Sequence, residues 1–144
     1  MAQIDIVVGT VYGAAMLVAE TLAAQLEQAG HGCQVFEEAE LADLDASRFL
    51  LVITATTGQG DIPPNLQPLA TALADRAPYM KGWRYALVAM GDSSYDHFCG
   101  AGRRLDSQLQ ELGATAVVPR LELDATLHDE PERVALAWLK SWHI

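Results

Sequence analysis

Residues 4–15, IDIVVGTVYGAA, decide the fold of this 144-residue chain. Ile4, Ile6, Val7 and Val8 form a short β-branched run that stops at Gly9, as expected of a central strand buried on both faces. Helical spacing begins almost at once in Val18, Leu22, Leu26 and Ala29, and Gly30 stands where a left-handed cap would end that helix. A strand therefore passes into a helix through the six residues 10–15 (TVYGAA).

The same alternation continues downstream. Cys33, Val35 and Phe36 suggest a second strand, and residues 49–53 (FLLVI) a third that is apolar throughout. Leu66, Leu69, Ala70 and Leu73 share a helical face, residues 85–90 (YALVAM) form a fourth strand, and Leu105, Leu109 and Leu112 mark a helix closed by Gly113. A fifth strand begins at Ala116 and is expected to run through Leu123. Pro131 suits the first turn of a last helix, continued on one face by Val134, Trp138 and Trp142. Alternating units of this kind predict an α/β fold, a doubly wound parallel sheet of five strands in the order 2-1-3-4-5 with helices on both faces. The length suits a single domain over residues 1–144, and no linker, repeat or low-complexity tract divides it.

Charge narrows the classes of partner. A formal net charge of −10 opposes binding to nucleic acid and favours a basic partner. Asp61, Asp92, Asp96, Asp124 and Asp129 follow strands, whereas Arg48, Lys81 and Arg84 precede them, so acid is expected around one end of the sheet and base at the other. The connection holding Glu37, Glu38, Glu40, Asp43 and Asp45 reads as a solvated loop. The opening MAQIDIVVGT carries no basic leader and no apolar stretch reaches spanning length, which predicts a cytoplasmic protein without membrane insertion. Cys33 and Cys99 form no CxxC pattern; Cys33 is expected in the core, Cys99 within reach of a ligand. His97 has no second His or Cys at ligand spacing, so a metal role has no support.

In a parallel sheet with helical crossovers, ligands bind outside the carboxyl ends of the strands, where the strand order reverses. Three loops fall on that rim: residues 10–15, residues 54–65 (TATTGQGDIPPN) and residues 91–102 (GDSSYDHFCGAG). The first presents the unpaired amides and positive dipole end of a helix N-terminus, an anion site to which Thr10 adds a hydroxyl and Gly13 a close backbone approach. It matches neither GxGxxG nor GxxxxGK[ST], which excludes the usual dinucleotide and nucleoside triphosphate loops and leaves a phosphomonoester as the fitting anion. With no Lys or Arg in the loop, neutral donors must hold it.

On these residues the chain resembles the flavodoxin family, of the short-chain type, whose phosphate loop has the form [ST]xTGxT or [ST]xTGxA. Tyr12 and Ala14 depart from that form, which shifts the burden onto backbone donors. The run TTGQGD (residues 56–61) and the twelve residues GDSSYDHFCGAG are similar to the FMN domains of sulfite reductase flavoprotein and the NADPH-cytochrome reductases. The resemblance covers the whole chain and implies a flavodoxin-like fold holding FMN. It implies a phosphate loop of Thr10, Val11, Tyr12, Gly13, Ala14 and Ala15, and a second loop contributing Ala55, Thr56, Thr57 and Gly58. Gly58 stands at the family position whose peptide flips to offer its carbonyl to flavin N5, favouring the neutral semiquinone. From the third loop Gly91, Asp92, Ser93 and Ser94 would border the ring, Tyr95 would cover one face, Cys99 would lie beside it, and Phe98 would line the site or else anchor the core at the helix entry. Asp124 matches the position that can contact the ribityl chain, or else caps a helix.

The implied role is a low-potential one-electron carrier rather than an enzyme, a monomer working between basic redox partners such as an NADPH-dependent reductase and an acceptor protein. Two alternatives stand beside it. An FMN-dependent oxidoreductase using NAD(P)H on a small molecule would need a nicotinamide site, of which the sequence shows no sign. A flavin-free signalling module could share the architecture, but response-regulator receivers need an acidic cluster after the first strand, where this chain has Gly9 and Thr10.

Overall fold

The computed structural model describes residues 2–144. Its first three strands are β1 (Gln3–Gly9), β2 (Gly32–Phe36) and β3 (Phe49–Thr54), and the next is β4 (Arg84–Gly91). Two short pieces follow, β5 (Thr115–Ala116) and β6 (Leu121–Asp124). The helices are α1 (Ala14–Gln28), α2 (Gln67–Arg76), α3 (Gly100–Glu111) and α4 (Pro131–Lys140). All sheet pairings between these strands are parallel, in the order β2-β1-β3-β4-β5, with β6 also pairing β4. This is the expected strand order.

Side-chain parity divides the sheet into two cores. Ile4, Ile6 and Val8 of β1, Phe49, Leu51 and Ile53 of β3, and Ala86 and Val88 of β4 face α1 and α4. Their neighbours Val7, Leu50, Val52, Tyr85, Leu87 and Ala89 face α2 and α3. Because successive residues of a strand point to opposite faces, a strand covered on both sides must be apolar at every position, which is why FLLVI shows no alternation. Asp5 breaks the apolar run of β1, is almost wholly buried, and is held by Arg48 at 3.1 Å. Both predicted glycine caps, Gly30 and Gly113, take positive φ.

Three expectations need correction. The fifth strand is not continuous from Ala116 to Leu123. Ala116 pairs with Tyr85 and Leu121 with Val88, so three steps along β4 oppose five along the edge, and residues 117–120 (VVPR) bulge out around Pro119, which has no amide hydrogen for the ladder. Trp142 lies beyond α4 rather than within it, where it packs edge-on to Trp138 with ring centroids 5.1 Å apart and against Phe49 at 5.9 Å. Cys33 is only half-buried, because β2 is an edge strand with most of its residues partly open to solvent; partial burial still pushes its thiol up to about 11.

Helix α3 packs closely on β4 through Gly102, where an added Cβ would lie 2.3 Å from the Ala89 Cβ. Alanine favours a helix interior over glycine by about 1 kcal/mol, but here overpacking wins. Gly102→Ala is expected to lower unfolding free energy by about 1–3 kcal/mol, measured by urea denaturation.

Candidate functional site

The parallel sheet delivers the carboxyl ends of β1, β3 and β4 to one edge of the molecule, and the three loops leave from there. The first and second loops are tied at their starts by the Ala55 amide donating to the Gly9 carbonyl at 2.8 Å, and the start of the third is tied to the segment after β6 by the Ala125 amide donating to the Gly91 carbonyl at 2.9 Å.

The first loop leaves several backbone donors without partners at the entry to α1. Gly13 caps α1 in a left-handed conformation (φ 92°), which a side chain would penalise, and no side chain caps the helix. Its amide donates to the Thr10 hydroxyl oxygen at 2.9 Å, which leaves the Thr10 hydroxyl hydrogen free to point outward. Leu17 makes the first helical bond, to the Gly13 carbonyl. Among the described residues, the amides of Val11, Tyr12, Ala14 and Ala15 find no protein acceptor. The Ala15 side chain is buried in the core, while Val11, Tyr12, Gly13 and Ala14 are exposed. Only the backbone of Ala15 is therefore available to a ligand.

Asn65, at the end of the second loop, holds the first in place. Its Oδ1 accepts from the Thr10 amide at 2.9 Å, and its Nδ2 donates to the Val8 carbonyl at 2.7 Å and to the Glu37 carbonyl at 2.6 Å. One side chain thus joins the ends of β1 and β2 to the loop after β3. Asn65 closes the second loop with no motif to mark it: its signal in the sequence is only that an amide both donates and accepts, and its partners lie 28 to 57 positions away.

The second loop turns tightly between Thr57 and Asp61, which exchange backbone bonds of 2.9 and 2.7 Å. Gly58 and Gln59 are exposed at its tip. Gly60 lies against the third loop: a Cβ on Gly100 would come within 2.8 Å of the Gly60 Cα. The Thr56 hydroxyl accepts from the Ala101 amide at 3.4 Å, a second tie between the two loops.

In the third loop Tyr95 is 68% exposed on the rim, and Tyr12 of the first loop is 98% exposed. Asp92 organises the turn, its Oδ1 accepting from the Ser94 amide at 2.8 Å and from the Ser94 hydroxyl. Phe98 is half-buried against the core beneath α2 and α3, with the Arg103 guanidinium over its ring at 5.4 Å. It anchors the loop. Cys99 corrects the expectation placed on it. Its side chain is wholly buried with Sγ 3.5 Å from the Ala89 carbonyl, burial pushes the thiol up to about 12, and only its backbone borders the rim.

Asp124, at the end of β6, is a clamp. Its Oδ1 accepts from the Ser93 amide at 3.1 Å and from the Thr126 amide and hydroxyl at 3.0 and 2.8 Å. These bonds, those from Ser93 foremost, hold its carboxyl well below the usual carboxylate range despite burial.

Charge at the rim is mixed rather than uniformly acidic. Arg103 and Arg104 open α3 on this side, Arg103 paired with Glu122 at 2.7 Å and Arg104 lying 3.8 Å from Asp61. The sequence expectation places base only before strands, whereas the start of α3 also sets two guanidiniums near Glu122 and Asp61.

The flavodoxin family model matches residues 6–138. The chain belongs to the flavodoxin family. It is 46% identical to flavodoxin YqcA of Pectobacterium carotovorum over 144 residues, covering 99% of this chain and 95% of that one. Protein MioC of Escherichia coli K12 is 40% identical over 142 residues, covering 99% and 97%. A cysteine-to-serine variant of a Pseudomonas aeruginosa flavodoxin superposes with a TM-score of 0.89 at 38% identity, covering 96% of this chain and 95% of that one. As a flavodoxin the chain binds FMN and carries electrons; it is not an enzyme. The residues present fit that cofactor, since unpaired amides surround the left-handed Gly13 and exposed Tyr95 stands in the loop after β4.

Two predictions follow from the two clamps. Asn65→Ala leaves the Thr10 amide and two carbonyls without partners, and the FMN Kd is expected to rise about tenfold, equivalent to about 1.4 kcal/mol, read by flavin fluorescence quenching. For Asp124 the folded pKa lies below the unfolded value of about 3.9, so its stabilisation is complete above that value and is lost as the pH falls through the folded pKa. Asp124→Asn is therefore expected to flatten the fall in unfolding free energy between about pH 5 and pH 2, measured by urea titrations across that range.

Proposed function

We propose that this flavodoxin is a low-potential one-electron carrier, a single FMN domain over residues 1–144 acting as a cytoplasmic monomer between a basic NADPH-dependent reductase and an acceptor protein. The observation that carries the reading is that the unpaired first-loop amides and exposed Tyr95 both follow the carboxyl ends of strands in one parallel sheet. Among the described residues no helix is long and apolar enough to cross a membrane.

The phosphate is assigned to the amides of Val11, Tyr12, Ala14 and Ala15 and to the Thr10 hydroxyl. Neutral donors aligned with the α1 dipole suffice for a dianion without a basic side chain. Ala55, Thr56 and Thr57 border the ring from the second loop. The exposed Gly58 peptide is free to turn its carbonyl toward flavin N5. Tyr95 covers one ring face, Gly91, Asp92, Ser93 and Ser94 line the edge, and Asp124 fixes Ser93 while keeping Oδ2 for the ribityl hydroxyls. Bound FMN supplies the single-electron chemistry, and the protein supplies binding and electrostatics. Carboxylates at Asp92 and Asp96 disfavour added negative charge on the ring, which lowers the potential at which the second electron enters. The net charge of −10 steers a basic reductase toward the exposed edge.

The test is FMN titration followed by slow anaerobic reduction with spectral monitoring. One FMN per chain and two separated one-electron steps are expected. Tyr95→Ala should weaken binding by about tenfold or more, as loss of a stacked aromatic worth about 0.5–1.5 kcal/mol beyond its buried area predicts. Reduction by a basic reductase should slow as ionic strength rises above about 0.1 M. Steady NADPH oxidation by the protein alone would overturn the carrier reading in favour of an enzyme.

A further inference from the structure

A chain of alternating charges runs from the core of the sheet to the third loop. It begins at Tyr85, wholly buried on β4, whose hydroxyl donates to Oδ1 of Asp106, itself only 4% exposed on α3. Gln110 donates to the same oxygen at 3.1 Å. Arg120, in the bulge between β5 and β6, reaches Asp106 Oδ2 through Nη1 at 2.9 Å and Glu122 Oε2 through Nε at 3.0 Å. Glu122 then receives a two-pronged bond from Arg103, Nε to Oε2 at 2.7 Å and Nη2 to Oε1 at 3.0 Å. The Arg103 guanidinium lies over the Phe98 ring. Two carboxylates alternate with two guanidiniums, so the chain is neutral and every charge has a fixed neighbour.

The far end of this chain sits where the third loop most needs support. Residue 99 adopts φ 54° with a cysteine side chain, a left-handed conformation costly for any residue but glycine. No side chain caps α3, which starts immediately afterwards. The strained turn is held on one side by the buried Cys99 thiol and on the other by Phe98 beneath Arg103. The two-pronged bond fixes the plane of the guanidinium and hence where Phe98 can lie. Arg120 reaches both carboxylates because the edge strand bulges beside it.

We infer that the Arg103–Glu122 pair is a positioning device for the cofactor loop: it pins Phe98, three residues along the loop from Tyr95, and so sets the placement of Tyr95 against the flavin. Neither residue needs to touch FMN. The inference rests on the site assignment above and adds to it a part of the chain remote from the three loops, the bulge at 117–120.

Direction of change separates positioning from plain electrostatics. Glu122→Gln uncovers a positive charge near the rim, and Arg103→Gln removes one. Electrostatics alone would tighten binding of anionic FMN in the first variant and weaken it in the second. Positioning weakens both. The experiment is FMN titration of both single variants and the double, read by fluorescence quenching and by the visible circular dichroism of the bound flavin. Expected are a rise in Kd of about tenfold in each single variant, equivalent to about 1.4 kcal/mol, no further rise in the double variant, and the same change in the dichroism band in all three. Kd values within about twofold of the wild type, or shifts of opposite sign in the two singles, would overturn the inference. Should either variant lose its far-ultraviolet helix signal, Arg103→Lys keeps the charge and removes only the two-pronged geometry; a Kd raised about threefold or more supports positioning, and an unchanged one overturns it. A wild-type protein that fails to bind FMN would instead overturn the site assignment beneath it.

Discussion

Burial of both faces of β1, β3 and β4 is the constraint on which the rest of this molecule depends. Each of these strands places alternate side chains into two separate cores, one closed by α1 and α4 and the other by α2 and α3. With helices on both faces, crossovers must leave each strand at its carboxyl end and return along the outside, which gathers the loops after β1, β3 and β4 at one rim. The site is a consequence of how the core is covered.

Gathering loops is not the same as fixing them. Their backbones end regular structure with unpaired groups, and the protein satisfies a selected subset. Asn65 engages one amide and two carbonyls, and Asp124 engages two amides and a hydroxyl. The contact of Gly60 with Gly100 brings the second and third loops together without an intervening side chain. The amides at the start of α1 are among those left without a protein acceptor in the described residues, and a helix N-terminus of that kind suits an anion.

The rim charge follows the same division between local and distant causes. Acidic residues after the strands make the protein's surroundings negative as a whole. Locally, Arg103 is matched by Glu122 and Arg104 lies near Asp61, so the two guanidiniums at the start of α3 add little net positive charge to the rim. The pairing lets a basic residue serve as a loop support inside an acidic surface.

The sequence by itself determined the strand order, the helix boundaries near Gly30 and Gly113, the three rim loops and the family, because each is written in short-range periodicity or in a contiguous motif such as GDSSYDHFCGAG. Only the tertiary structure decided which residues within those loops are exposed and which turn into the protein. Cys99 sits in the most family-specific string and still turns inward, since a left-handed turn at that position directs its side chain into the core. Asp124 reads equally as ligand contact or cap until Ser93, 31 positions away, is seen donating to it. The interruption of the last strand around Pro119, and the link from Arg120 to Asp106 and Glu122, likewise depend on partners brought together by the sheet. Periodicity reports which face of an element is apolar, but the choice of a hydrogen-bond partner depends on which distant segment the strand order places beside it.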